Sequence, residues 1–140
     1  MQELTVEAKI ENMHEVFSFM AKELERQGCD RQFILQCKLC AEEIFMNISS
    51  YAYDPDTGPV RMEIEIRRDG TSTARAIMTF HDRGRPFNPL EQEKPDLRSD
   101  LDERPVGGLG IYIVTSVMDR VTYRYRDNEN ILTIEKEIRN

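Results

Sequence analysis

The sequence predicts an α+β fold, a two-layer α/β sandwich with helices on one face of a mainly antiparallel sheet. Three observations carry this expectation. Segments that alternate apolar and polar residues are interleaved with segments whose apolar residues recur every three or four positions. The alternating segments fall mostly in adjacent pairs joined by short polar turns, as antiparallel strands require. The length of 140 residues allows one core and is too short for two.

Leu4, Val6, Ala8 and Ile10 alternate across residues 3–10, the pattern of a half-buried strand. From Glu11 the period changes. Met13, Val16, Phe17, Met20 and Leu24 form an amphipathic helix that stops near Gly28. Asp30 is placed to cap a second helix. Its stripe of Phe33, Ile34, Cys37, Cys40, Ala41, Ile44, Phe45 and Ile48 predicts deep burial as far as about Tyr53. There Asp54-Pro55-Asp56-Thr57-Gly58-Pro59 breaks it. Val60, Met62, Ile64 and Ile66 alternate with charged residues; after the Arg68-Asp69-Gly70-Thr71 turn, Ala74, Ala76, Met78 and Phe80 alternate again. Residues 82–107 are charged, proline-bearing and aperiodic, a length of irregular chain that is usually functional. A short apolar helix follows Gly107, and two closing strands are expected at about 120–126 and 131–138, joined through Asp127–Asn130.

A net charge of −7 argues against a general nucleic-acid binder, which would present a basic face. No run approaches the roughly 18 apolar residues of a membrane span, and the first residues lack the pattern of a secretion signal. Three cysteines cannot all pair, so a reducing, cytoplasmic setting is expected. Cys37 and Cys40 share one helix face with no second cysteine pair, which reads as core packing rather than as a metal site.

Three clusters carry chemistry. Glu43 and Asn47 lie four apart on the second helix and project from one face. A carboxylate can take a proton from a hydroxyl nucleophile, and an asparagine carbonyl is a hard oxygen ligand suited to Mg²⁺. The same spacing also arises on ordinary solvated helix faces. Asp82, at the end of a strand, can accept from the exocyclic amine of adenine, and Gly84 removes a side chain that would keep a flat base from the backbone; an ordinary Asp-x-Gly turn has the same sequence. Gly107-Gly108-Leu109-Gly110 opens a helix, where backbone N–H groups can close on phosphate oxygens. The Lys-Ser/Thr ending of a P-loop is missing, and no strand leads directly into the glycines as a dinucleotide-binding turn requires.

Taken in order, EEIFMN, DRGRPFNP and VGGLGIYIV resemble the N, G1 and G2 boxes of the GHKL ATPase superfamily, and within it the short anti-sigma factor serine kinases of bacterial partner-switching systems. The resemblance spans roughly residues 3–138 and implies the Bergerat ATP-binding fold as a single histidine-kinase-like ATPase domain over 1–140, with an ATP lid at about 90–106. It implies Glu43 as the catalytic base, Asn47 as the Mg²⁺ ligand, Asp82 and Gly84 at the adenine, Gly108 and Gly110 at the phosphates, and Thr133 supporting the adenine. The implied cofactors are ATP and Mg²⁺. The implied partners are a STAS-domain anti-anti-sigma protein, phosphorylated on serine, and a sigma factor held while ATP is bound; members of the branch commonly form homodimers. Pro86 replaces the second glycine of Asp-x-Gly-x-Gly, as in the anti-sigma branch. Tyr51 stands where that branch commonly has histidine, and Asn88 where aspartate is frequent. A non-catalytic ATP-dependent switch is the second reading, and the catalytic portion of a sensor histidine kinase the third.

Overall fold

In the computed structural model, residues 1–68, 70, 73–91 and 108–138 are described. Strand β1 (Gln2–Glu7) leads into helices α1 (Met13–Arg26) and α2 (Arg31–Asn47). Strands β2 (Pro59–Arg68) and β3 (Ala74–Asp82), helix α3 (Gly108–Val117), and strands β4 (Arg120–Arg126) and β5 (Glu129–Ile138) follow. One sheet in the order β1-β2-β3-β5-β4 is antiparallel at every pairing, and the helices pack on one of its faces. The expected α+β sandwich is the fold observed.

The inward face follows from strand parity. Val60, Met62 and Ile64 of β2, Met78 and Phe80 of β3, and Leu132 and Ile134 of β5 are buried against Val16, Met20 and Leu24 of α1 and against Cys37, Cys40, Ala41, Ile44 and Phe45 of α2. Cys37 and Cys40 are fully buried free thiols, and desolvation pushes them up to about 12 and about 11. They are packing residues, as their helical spacing predicts. Among the described residues no helix is long and apolar enough to cross a membrane.

Gly28, at φ +85°, ends α1, and the Asp30 carboxylate accepts from the Phe33 N–H at 2.8 Å to start α2. Asp30→Ala is expected to cost about 1 kcal/mol of stability, read as a lower urea midpoint at unchanged m-value.

Three boundaries differ from those the pattern predicts. β1 stops at Glu7 because its carbonyl accepts from the Lys9 N–H at 2.8 Å and the Asn12 side chain at 2.9 Å, while the Ala8 N–H turns to the Gly58 carbonyl. Ile10 therefore begins a 3₁₀ turn over Ile10–Asn12 and is exposed. The second helix does not run evenly to Tyr53. It is α-helical to Asn47 and then widens into a π-helical turn, Ile48–Ala52. Finally, Asp127 and Asn128 take φ of 54° and 64°, a two-residue hairpin turn, so β5 begins at Glu129, paired with Arg126. That earlier start makes Asn130 a strand residue, opposite Asp82 in the register.

Candidate functional site

The π-helical turn leaves backbone carbonyls at the end of α2 without helical partners, the general condition of a helix C-terminus. The segment after β3 supplies the donors. The Arg85 N–H donates to the Ala52 carbonyl at 3.0 Å, and the Arg85 guanidinium donates to the Tyr51 carbonyl at 2.8 Å. A cation here also suits the negative end of the helix dipole. Tyr53 adds a second tie: its hydroxyl donates to the Pro59 carbonyl at 2.6 Å and accepts from the Arg83 N–H at 2.6 Å. The helix bearing Glu43 and Asn47 is thus fastened to the loop that follows Asp82.

Gly84 makes this approach possible. A Cβ there would collide with the Ala52 carbonyl oxygen and stand 2.6 Å from the Ala52 Cβ. Gly84 is therefore required by the close packing of this loop on the π turn. Gly84→Ala is expected to destabilise the fold by about 1–2 kcal/mol, in the range of overpacking, measurable as a lower denaturant midpoint.

Between α2, the loop and α3 lies a cavity of about 510 Å³. Glu43, Asn47 and Tyr51 line it from α2 and its π turn; Asp82 from β3; Arg85 and Phe87 from the loop; Gly110, Ile111 and Val114 from α3; Asn130 and Leu132 from β5. Glu43, Asn47, Asp82 and Gly110 of the expected set therefore meet around one space. A Cβ on Gly110 would lie 2.6 Å from the Glu43 Oε2, so the third helix passes close beside the carboxylate because it carries no side chain there. Gly108 is the first residue of α3. Of the proposed lid, only 90 and 91 fall within the described residues; 92–106, and Gly107 after them, lie outside.

Thr133 is a correction. β5 alternates, so Asn130, Leu132 and Ile134 face the helices while Thr133 faces the opposite side of the sheet, its Oγ1 3.4 Å from the Oγ1 of Thr79. Leu132 occupies the cavity wall at this level. Support for an adenine by the Thr133 hydroxyl is not available from that side.

Electrostatically the cavity holds two carboxylates with raised proton affinity. Burial raises Glu43, and the neighbouring Glu42 raises it further. Asp82 is 6% exposed; burial raises it, opposed chiefly by the hydrogen bond from Asn130 and then by the Gly84 N–H. The Asp82 Oδ1 accepts both donors, from Asn130 Nδ2 and from Gly84, each at 2.9 Å. Arg85 and Asn130 were not singled out as site residues by sequence. Arg85 stood inside the DRGRPFNP cluster but its target, a widened helix end, has no sequence signature. The composition puts Asn130 at the end of a turn, whereas the structure places it in β5, opposite Asp82.

Known proteins resemble this chain in sequence and in fold. The histidine kinase-like ATPase domain family matches residues 6–136. A serine/threonine-protein kinase, BtrW, of Bordetella bronchiseptica is 31% identical over 98 residues, which cover 69% of this chain and 65% of that kinase. Serine-protein kinases RsbW of Bacillus thuringiensis and Bacillus cereus are 25% identical over 139 residues, 93% of this chain and 81% of theirs. Among solved structures, the RsbU and RsbW domains of a Mycobacterium tuberculosis protein superpose with a TM-score of 0.64 at 15% identity, over all of this chain and 34% of that one, a likeness of fold. With the family match spanning nearly the whole chain and the expected boxes gathered at one cavity, the chain belongs to the histidine kinase-like ATPase domain family.

Proposed function

We propose that the chain binds ATP with Mg²⁺ in the cavity and transfers the γ-phosphoryl group to a serine of a STAS-domain anti-anti-sigma protein, and that with ATP bound it sequesters a sigma factor. The observation that carries this reading is the convergence of Glu43, Asn47, Asp82 and Gly110 on one space. The printed names of its relatives, serine-protein kinases, support the reaction class.

The donor set fits Mg²⁺. Asn47 offers an amide oxygen on the cavity wall. Mg²⁺ usually keeps waters and shares nucleotide phosphates, so a single amide oxygen from the chain suits it. Asn47 would hold the ion, which supplies neutralisation of phosphate charge. The rest falls to the chain itself. Asp82 accepts from the purine amine, Leu132, Ile111 and Val114 give the base apolar walls, and backbone N–H groups at the start of α3 meet phosphate oxygens. Glu43 takes the serine hydroxyl proton as the serine oxygen bonds the γ-phosphorus; the bond from that phosphorus to the bridging oxygen breaks, and ADP leaves. A carboxylate whose proton affinity is raised by burial is the better base for this step.

The test is incubation with labelled ATP, Mg²⁺ and a candidate STAS protein. Phosphoserine on the partner supports the kinase. ATP-dependent complex formation without phosphoserine would support the non-catalytic switch instead, for which Tyr51, exposed at the cavity in place of the branch's usual histidine, is the motivating residue.

A further inference from the structure

Asn130 is a buried amide, 7% exposed, whose hydrogen-bonding capacity is taken up on every side. Its Nδ2 donates to the Asp82 Oδ1 at 2.9 Å, to the Arg85 carbonyl at 2.9 Å and to the Gly84 carbonyl at 3.4 Å. Its Oδ1 accepts from the Phe87 N–H at 3.1 Å and from the Tyr123 hydroxyl at 2.5 Å. This network fixes which way the amide points. Reversed, the oxygen would face a carboxylate and two carbonyls, and the nitrogen would face an N–H donor, which no arrangement of hydrogens relieves. The same residue joins β5 to β3, to β4 and to the loop that reaches the end of α2.

The consequence falls on Asp82. Its Oδ1 already accepts from Asn130 and from the Gly84 N–H, whereas its Oδ2 accepts no hydrogen bond among the described residues. The carboxylate lines the cavity, so Oδ2 is the acceptor left for a ligand. We infer that Asn130 is a positioning residue for purine selection: it locks Asp82 with one oxygen engaged and one free, and so favours a 6-amino purine over a 6-oxo purine. A free carboxylate oxygen attracts an exocyclic amine and repels a carbonyl oxygen at the same place. This inference rests on the proposed nucleotide site.

Other groups act on Asp82 as well. Burial raises its proton affinity most, Glu129 of β5 raises it and His81 of its own strand lowers it. Tyr123 stands on the β4 side, Arg83 and Arg85 belong to the loop, Tyr53 comes from beyond the π turn, and Glu43 lines the same cavity from α2. Of the influences that favour the ionised form, the Asn130 hydrogen bond is the largest. Substituting Asn130 therefore has a signature that mere loosening of the fold lacks: Asp82 should titrate at higher pH.

The experiment uses the full chain with Asn130→Leu, similar in shape but without the amide. Carboxyl-carbon NMR follows Asp82 in the nucleotide-free protein, its signal identified by its loss in Asp82→Asn. Calorimetry with ATP and with ITP, each with Mg²⁺, measures selection. The parent chain is expected to prefer ATP by about tenfold or more, and Asn130→Leu to lose about tenfold in ATP affinity with ITP little changed. Asp82 should titrate higher in the variant. A cooperatively melting Asn130→Leu in which the Asp82 titration is unmoved, or in which the ATP-to-ITP ratio stays within about twofold of the parent, overturns the inference. Should Asn130→Leu not fold, Tyr123→Phe removes only one donor holding the amide oxygen; it is expected to shift titration and selection the same way, the ratio by about threefold, and an unchanged titration and ratio there overturn the inference equally. A parent chain that binds neither nucleotide removes the proposed function and with it the purine selection. The nucleotide-free titration still decides separately whether Asn130 governs Asp82.

Discussion

Glu43→Ala is expected to leave ATP affinity within about twofold of the parent while phosphoryl transfer to a STAS protein falls about 10²–10⁴-fold, the span for loss of a positioned general base. Glu43 lines the cavity from α2, close to Gly110, whereas Asp82 lines it from β3, so removal of Glu43 spares the groups assigned to the purine. Single-turnover transfer, measured at saturating ATP, separates this from a binding defect. Transfer at an undiminished rate would remove Glu43 from the chemistry. The fold should not suffer. Burial and the neighbouring Glu42 raise the proton affinity of Glu43 in the folded chain. A carboxyl raised in this way favours the folded state below its unfolded pKa and loses that contribution as pH rises through the folded value. At neutral pH the charged form is therefore a liability, and Glu43→Ala is expected to melt at the parent temperature or above it. Loss of transfer with retained or increased melting temperature is the mark of a residue kept for function at a cost to stability.

What the sequence made legible follows from which physical signals are local. The stripe from Phe33 to Ile48 requires only the helical period and burial, and it emerged in the structure with Cys37, Cys40, Ala41 and Phe45 wholly buried. The Asp30 cap, the Gly28 stop and the β2–β3 pairing are likewise set by neighbours in the chain. Glu43 and Asn47 could be put on one helix face by spacing alone, but not turned toward Asp82. That depends on Arg85 and Tyr53 fastening the loop to the π turn, contacts across about thirty residues whose cause is the widened helix end. Thr133 shows how little tolerance a strand allows. Its neighbour Leu132 enters the cavity and Thr133 leaves it, because side chains alternate and one position changes the face. Asn130 depends on the same precision: the composition predicts a four-residue turn over Asp127–Asn130, whereas Asp127 and Asn128 alone form it, and the shorter turn puts Asn130 across from Asp82.

Asp82→Asn, finally, is expected to weaken ATP binding by about 1.5–3 kcal/mol, the worth of a hydrogen bond to a charged group, with transfer at saturating ATP largely kept. The geometry makes asparagine a demanding replacement despite its matching shape. Asn130 Nδ2 and the Gly84 N–H both donate to the Oδ1, so the substituted amide must keep its oxygen there. Its nitrogen then takes the place of the free Oδ2 and presents hydrogens toward the purine amine, donor against donor. Turning the amide over would relieve that clash only by setting an NH₂ against two donors at a buried position. The buried carboxylate also sets the pH dependence of the parent. Because burial raises Asp82, ATP affinity should begin to fall, as the pH is lowered, earlier than an ordinary aspartate would allow, and in Asp82→Asn that dependence should flatten. Removing the buried charge also removes the part of the folding free energy it costs above its folded pKa, so the variant is expected to melt no lower than the parent at neutral pH. Calorimetric titrations with ATP from mildly acidic to neutral pH check both points. Unchanged affinity in Asp82→Asn would rule out Asp82 as the purine anchor, whatever Glu43 does, because the two carboxylates stand on different walls of the cavity and fail independently.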